Sequence, residues 1–197
     1  MTVKTRTVVF LGPDGAGKTT LLTLVKSELA ARGVDFAHYY FSPGYLKRYR
    51  PSGTPKITNN PHEGRQYSAG LVSLKILLML FEFNMGLPRV KRRNDLVLFD
   101  RFILDLLVDP RRYRMNRVRW WMRALLKLSP RVDLGVIIVA PPDVIQERKQ
   151  EVTREETERQ IAAYKNATGL FLRAIVVENI GPPEIAAQKI VEEIRQR

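Results

Sequence analysis

Nine consecutive residues, Gly12-Pro13-Asp14-Gly15-Ala16-Gly17-Lys18-Thr19-Thr20, have the types and spacing needed to hold phosphate. Gly12, Gly17, Lys18 and Thr19 fill the fixed positions of the pattern G-x-x-x-x-G-K-[ST]. Phosphate oxygens require several backbone N–H donors converging on one point, and glycines allow the chain to turn back on itself without a Cβ clash. A lysine at the position of Lys18 reaches the β/γ-phosphates as a point charge, and a hydroxyl at Thr19 can ligate Mg²⁺. The whole run Gly12–Thr20 is therefore a candidate nucleotide-binding segment.

The flanks supply the elements such a loop needs. Arg6–Leu11 reads as a short buried strand, and the chain from Thr19 reads as a helix with Leu21, Leu22, Val25 and Leu29 on one face. Strand, loop and helix in that order put a helix N-terminus beneath the anion. Further strands are expected at Phe36–Phe41, Asp95–Asp100, Leu134–Ala140 and Arg173–Val177, giving an α/β chain. In an open parallel sheet ligands gather at the carboxyl ends of the strands. Asp100 closes the third of these strands and Arg101 follows at once, so both are candidates, Asp100 for a Mg²⁺ shell and Arg101 for a phosphoryl group.

Two segments have the composition of covers. Ser42–Arg65 holds four prolines and the basic residues Lys47, Arg48, Arg50 and Lys56, and reads as a substrate loop or a plain surface loop. Around residues 148–156, Arg148, Lys149 and Arg154 sit between a short helix opened by Pro141-Pro142 and one capped by Thr153 with Glu156 reaching back, a capping box. This basic hinge reads as a lid or as a plain helical hairpin. His38 and His62 lack metal-ligand company and read as structural.

The 197 residues, 45% hydrophobic, suit one domain spanning 1–197 with no internal repeat or linker. With no cysteine, disulfides and cysteine metal sites are excluded. No signal peptide is evident, so a cytoplasmic protein is expected. The net charge of +13 favours anionic partners, and much of it lies in Arg89–Arg93 and in Arg111, Arg112, Arg114, Arg117, Arg119 and Arg123. No specific nucleic-acid signature accompanies that charge. Gln66–Gly86 reads as a very apolar helix, interrupted by Lys75 and Glu82 and too short to span a bilayer. It is expected in the core or at a homodimer interface. Asn116–Leu128, basic and carrying Trp120 and Trp121, reads as a helix on the sheet with a charged outer face, or as one lying on a membrane surface.

With these pieces placed, the chain resembles the thymidylate kinase family of P-loop nucleoside monophosphate kinases over nearly its whole length. The residues that carry the likeness are Gly12–Thr20, Asp100-Arg101-Phe102 and Pro142-Asp-Val-Ile-Gln-Glu-Arg-Lys149 before the lid. The resemblance implies a three-layer α/β/α P-loop NTPase fold with a five-stranded parallel sheet, ATP as co-substrate, Mg²⁺ as cofactor, and often a helix-packed homodimer. By position, Gly15, Gly17, Lys18 and Thr19 would cradle the ATP phosphates, and Asp14 would face the acceptor. Arg101 would bridge donor and acceptor, and Asp100 would organise the metal shell. Ala16 leaves the loop without its own arginine, so Arg148 or Arg154 would supply that charge. The acceptor side departs from the family. Phe41-Ser42-Pro43-Gly44 stands where Arg-Glu-Pro-Gly is usual, the Gln66 helix lacks the arginine expected near the base, and Ile103-Leu-Asp105-Leu-Leu replaces a serine- and tyrosine-bearing stretch.

Overall fold

The computed structural model describes residues 6–46, 68–113, 115, 120–149 and 152–195, the side chain of Arg112 excepted. Lys47, Arg48, Arg50, Lys56, His62, Arg114, Arg117 and Arg119, and the starts of the expected helices at Gln66 and Asn116, lie outside the described residues.

Five strands form one wholly parallel sheet in the order β2-β3-β1-β4-β5: β1 Thr7–Leu11, β2 Phe36–Tyr40, β3 Leu96–Asp100, β4 Leu134–Val139 and β5 Arg173–Glu178. The three central strands are apolar on both faces, which is why they read as continuous hydrophobic runs. Their side chains alternate between two cores. Val8, Phe10, Leu96, Leu98, Val136 and Ile138 pack on one side with helices α1 (Lys18–Ala31) and α7 (Pro183–Arg195). On the other side, Val9, Leu11, Val97, Phe99, Ile137 and Val139 pack beneath α2 (Ala69–Arg93), α4 (Trp120–Leu126) and α6 (Arg154–Asn166). Short helices α3 (Asp105–Val108) and α5 (Pro142–Arg148) complete the seven among the described residues. An α/β chain with a five-stranded parallel sheet was thus a correct expectation.

Four local expectations need correction. The strand at Phe36 is a half-buried edge strand, because only β3 borders it, and it ends at Tyr40, with Phe41 at φ 62°. The apolar helix does not stop at Gly86: α2 runs on through Pro88 to Arg93, so the basic run 89–93 forms its last turns. At 25 residues the helix is, against expectation, long and apolar enough to cross a membrane, though nearly half of it is buried in the fold. Glu82 is not a surface interruption of that helix. It is buried and accepts hydrogen bonds from Ser42 Oγ (2.7 Å) and from the Tyr45 and Leu46 backbone N–H groups, tying the loop after β2 to α2. Thr153 does cap α6 through the Glu156 N–H (3.3 Å), but the Glu156 carboxylate turns to Arg159 (2.7 Å). An arginine one turn on outcompetes the cap's backbone N–H because both partners of that bond are charged.

Candidate active site

The loop between β1 and α1 owes its shape to its glycines. Gly12, Gly15 and Gly17 have φ of 145°, 86° and 88°, where a side chain would be strained. Space is short as well: a Cβ on Gly12 would lie 2.0 Å from the Ile138 carbonyl oxygen of β4, and one on Gly17 would lie 2.1 Å from Asn179 Nδ2. Pro13 and Ala16 are buried, whereas Thr19 and Thr20 open α1 at the surface. Lys18 is only 7% exposed, and its ammonium donates to the Gly12 and Pro13 carbonyls, each at 2.7 Å, with Asp14 Oδ1 at 3.4 Å. Burial, with the Arg101 charge second, lowers the Lys18 pKa from 10.5 to about 8. A bound anion would reverse that penalty by supplying the missing countercharge.

Arg101 faces Lys18 across Asp14. It leaves β3 with φ 73°, an uncommon conformation for a non-glycine residue, and its N–H bonds the Phe10 carbonyl at 3.0 Å. That turn aims the side chain inward, where the guanidinium donates to Asp14 and, at 2.8 Å, to Asp105 Oδ2. Asp105 also accepts from the Tyr164 hydroxyl of α6 at 2.9 Å and from Tyr113 at 3.4 Å. Burial alone would lower the Arg101 pKa, but Asp105 and then Asp14 outweigh it and hold the guanidinium charged. Burial and the Asp105 charge keep the Tyr164 phenol protonated far above its ordinary range.

Above the loop is a cavity of about 380 Å³ lined by Asp14, Gly15, Gly17, Lys18, Thr19, Thr20, Tyr40, Asp100, Arg101 and Lys149. Two larger clefts, of about 610 and 630 Å³, lie elsewhere and lack such a loop. Converging donors, rather than volume, single this cavity out as the candidate site. Asp100 stands in register with Phe10 and Tyr40 at the strand ends, so both oxygen-bearing candidates for Mg²⁺, Thr19 and Asp100, border the same space.

The two hinge arginines part company. Arg148, at the end of α5, reaches the loop: its Nη1 is 3.8 Å from where a Gly17 Cβ would stand. Arg154 is 58% exposed and is engaged at the surface by Asp143 and by Glu158 at 3.1 Å. The fold therefore brings together Gly12–Thr20, Asp100, Arg101 and Arg148 and leaves Arg154 outside. Asn179, which follows β5 and donates to the Ala16 carbonyl at 2.9 Å, was missed by sequence reasoning, although a polar residue after a predicted strand was the available signal. Tyr164 was missed too, and nothing in its own helix marks it. No protein-family model matches the chain, and no match is found among curated proteins.

Proposed function

We propose that the protein is an ATP- and Mg²⁺-dependent phosphotransferase of thymidylate kinase-like type, built on the P-loop NTPase fold, acting on an anionic acceptor. The observation that carries this reading is the meeting of Lys18 and Arg101 on Asp14 beneath the cavity, with Arg148 over Gly17 on the loop's other flank. The residues fit Mg²⁺-ATP: a glycine cradle too tight for Cβ atoms, a buried ammonium lacking a full countercharge, and Thr19 and Asp100 at one cavity wall. When bound, ATP with Mg²⁺ supplies the transferable γ-phosphoryl group and ADP as leaving group. The chain's share is positioning and charge neutralisation. The loop's N–H groups and Lys18 hold the donor phosphates. Arg101, fixed from two sides, aligns donor with acceptor, and Asp14 orients the acceptor. Arg148 covers the developing charge from the lid, the task for which the loop itself offers only Ala16.

A second reading, that the natural acceptor is not dTMP, has its own support. The inward face of α2 presents Val72, Ile76, Met79 and Phe83, none able to read a base by hydrogen bonds. Phe41, where a phosphate-clamping arginine would stand, packs its ring on Tyr113 (5.5 Å) and Phe83 (6.0 Å). Sites without polar partners discriminate weakly between polar ligands. A phosphorylated sugar, a lipid-linked phosphate or another nucleotide is then the acceptor class to be aligned by Arg101. The test is ADP release from ATP and Mg²⁺ across dTMP, other nucleoside monophosphates and phosphorylated sugars, with Lys18→Ala as the blank. Acceptor-dependent release lost in the blank is expected. Release with no acceptor, or the same rate in the blank, counts against a kinase. A kcat/KM for dTMP near ~10⁵ M⁻¹s⁻¹ and far above all others counts against altered specificity.

A further inference from the structure

Among the described residues, a long apolar stripe of helix α2 is left exposed, touched only near Phe81 by the Tyr45 ring (6.0 Å). Leu71, Leu74, Leu78, Phe81 and Met85 follow one another at alternating intervals of three and four, with Leu77 beside them, and all are exposed. That spacing keeps them on one helical face. The buried face of the same helix is separate, made of Val72, Ile76, Met79, Phe83 and Leu87. The stripe is thus not the core side of the helix showing through.

Its neighbours are basic. At the same spacing the stripe continues into Arg89 and Arg92, both exposed. Helix α4 lies alongside, since Asn84 donates to the Leu128 carbonyl at 3.0 Å. Trp120 of α4 is 79% exposed and Leu128 just beyond the helix 64%, whereas Arg123 and Lys127 border the cleft toward Leu104, Ala163 and Leu170. Across residues 69–93 and 120–128 the single acid is Glu82, and it is buried under the loop after β2. Lys91 lies off this face and pairs with Asp133 at 3.7 Å.

We propose that this face of α2, with the exposed Trp120 of α4, docks on an anionic lipid bilayer, with the leucine, phenylalanine and tryptophan side chains in the interface and Arg89 and Arg92 toward the headgroups. Tryptophan favours the membrane–water boundary, and apolar and basic side chains on one face are the composition of a surface-lying helix. Charge decides between this occupant and a second copy of the chain. A second copy of the helix offers Arg89 and Arg92 no exposed acid to pair with, whereas an anionic leaflet supplies the countercharge. The inference concerns the surface alone and does not depend on the proposed reaction.

The experiment is co-sedimentation of the full chain with phosphatidylcholine vesicles, with and without about one-third phosphatidylserine, at low and raised salt. Binding to the anionic vesicles is expected, with a blue shift in tryptophan emission and weak binding to neutral ones. Leu78→Glu/Phe81→Glu should abolish it, and Arg89→Glu/Arg92→Glu should weaken it roughly tenfold or more. Trp120→Ser, a substitution at a nearly fully exposed side chain, should weaken binding and remove most of the blue shift. Circular dichroism checks that each variant is folded. Three results would overturn the proposal: no binding to anionic vesicles at low salt, binding untouched by the stripe and Trp120 variants, or a stable dimer in light scattering that Leu78→Glu/Phe81→Glu dissociates.

Discussion

The two sides of Arg101 are built on different principles. Toward the donor, polar groups are locked by other polar groups: Lys18 on two carbonyls, Arg101 between two carboxylates, Asn179 on the loop carbonyl. On its other side lies a packed chain of rings, Phe83 and Phe102 fully buried and Phe41 and Tyr113 packed against them. The first arrangement is preorganised for charge and resists change. The second is close-packed apolar core and offers few polar groups. Under the proposed reaction, phosphate handling would rest on backbone geometry and acceptor choice on side chains of other elements, so the second can drift while the first persists.

Breaking the donor side should produce the largest effects. Arg148→Ala is expected to lower kcat by roughly 10³-fold with little change in nucleotide affinity, by analogy with arginine fingers. A single-turnover assay separates the two quantities, and unchanged turnover would remove Arg148 from the lid role. Next comes Asp105→Asn, which takes one carboxylate from a buried guanidinium. Losing one partner of a buried pair should cost about 3 kcal/mol of stability, read by urea denaturation. A shift near zero would mean that Asp14 alone holds Arg101.

A pH series sharpens the comparison further. Lys18 in the nucleotide-free protein titrates at about 8, and only its protonated form attracts phosphate. Nucleotide affinity should therefore fall as pH rises past about 8, approaching tenfold per unit. The unfolded chain keeps this proton until about 10.5, so it binds more protons than the folded one between those values. The Lys18 contribution to stability in the nucleotide-free protein accordingly improves as pH rises from about 8 toward 10.5. An affinity flat from pH 7 to 9.5 would contradict the assigned burial of Lys18. The smallest effect is reserved for Arg154→Ala, whose partners Asp143 and Glu158 lie at the surface. Turnover should not change, and a fall as large as that for Arg148→Ala would reverse the assignment of the two arginines.

What could be read in the chain follows the range of the interactions involved. The phosphate loop, its strand and its helix are contiguous, so pattern and periodicity were enough to place Gly12–Thr20. The central strands were legible because burial on both faces leaves uninterrupted apolar runs. Arg101 was legible as the residue after a strand end, but its fixation was not: Asp14, Asp105 and Tyr164 are 87, 4 and 59 residues from the groups they bond. Glu82 was misread for the same reason, since its partners lie 36 to 40 residues back in the chain. The continuation of α2 past Gly86 was hidden by Gly86 and Pro88, both usual helix terminators. A glycine is favoured there by contact, as a Cβ on Gly86 would come within 2.6 Å of Pro43.

Equilibrium titration of Mg²⁺-ATP into the native chain and into Lys18→Ala tests the central claim most directly. Saturable one-site binding is expected, with a dissociation constant between about 1 μM and 1 mM, the ordinary substrate range, and weakening by about 100-fold in the variant. Absence of saturable binding to the native chain, or equal binding to both proteins, would contradict it.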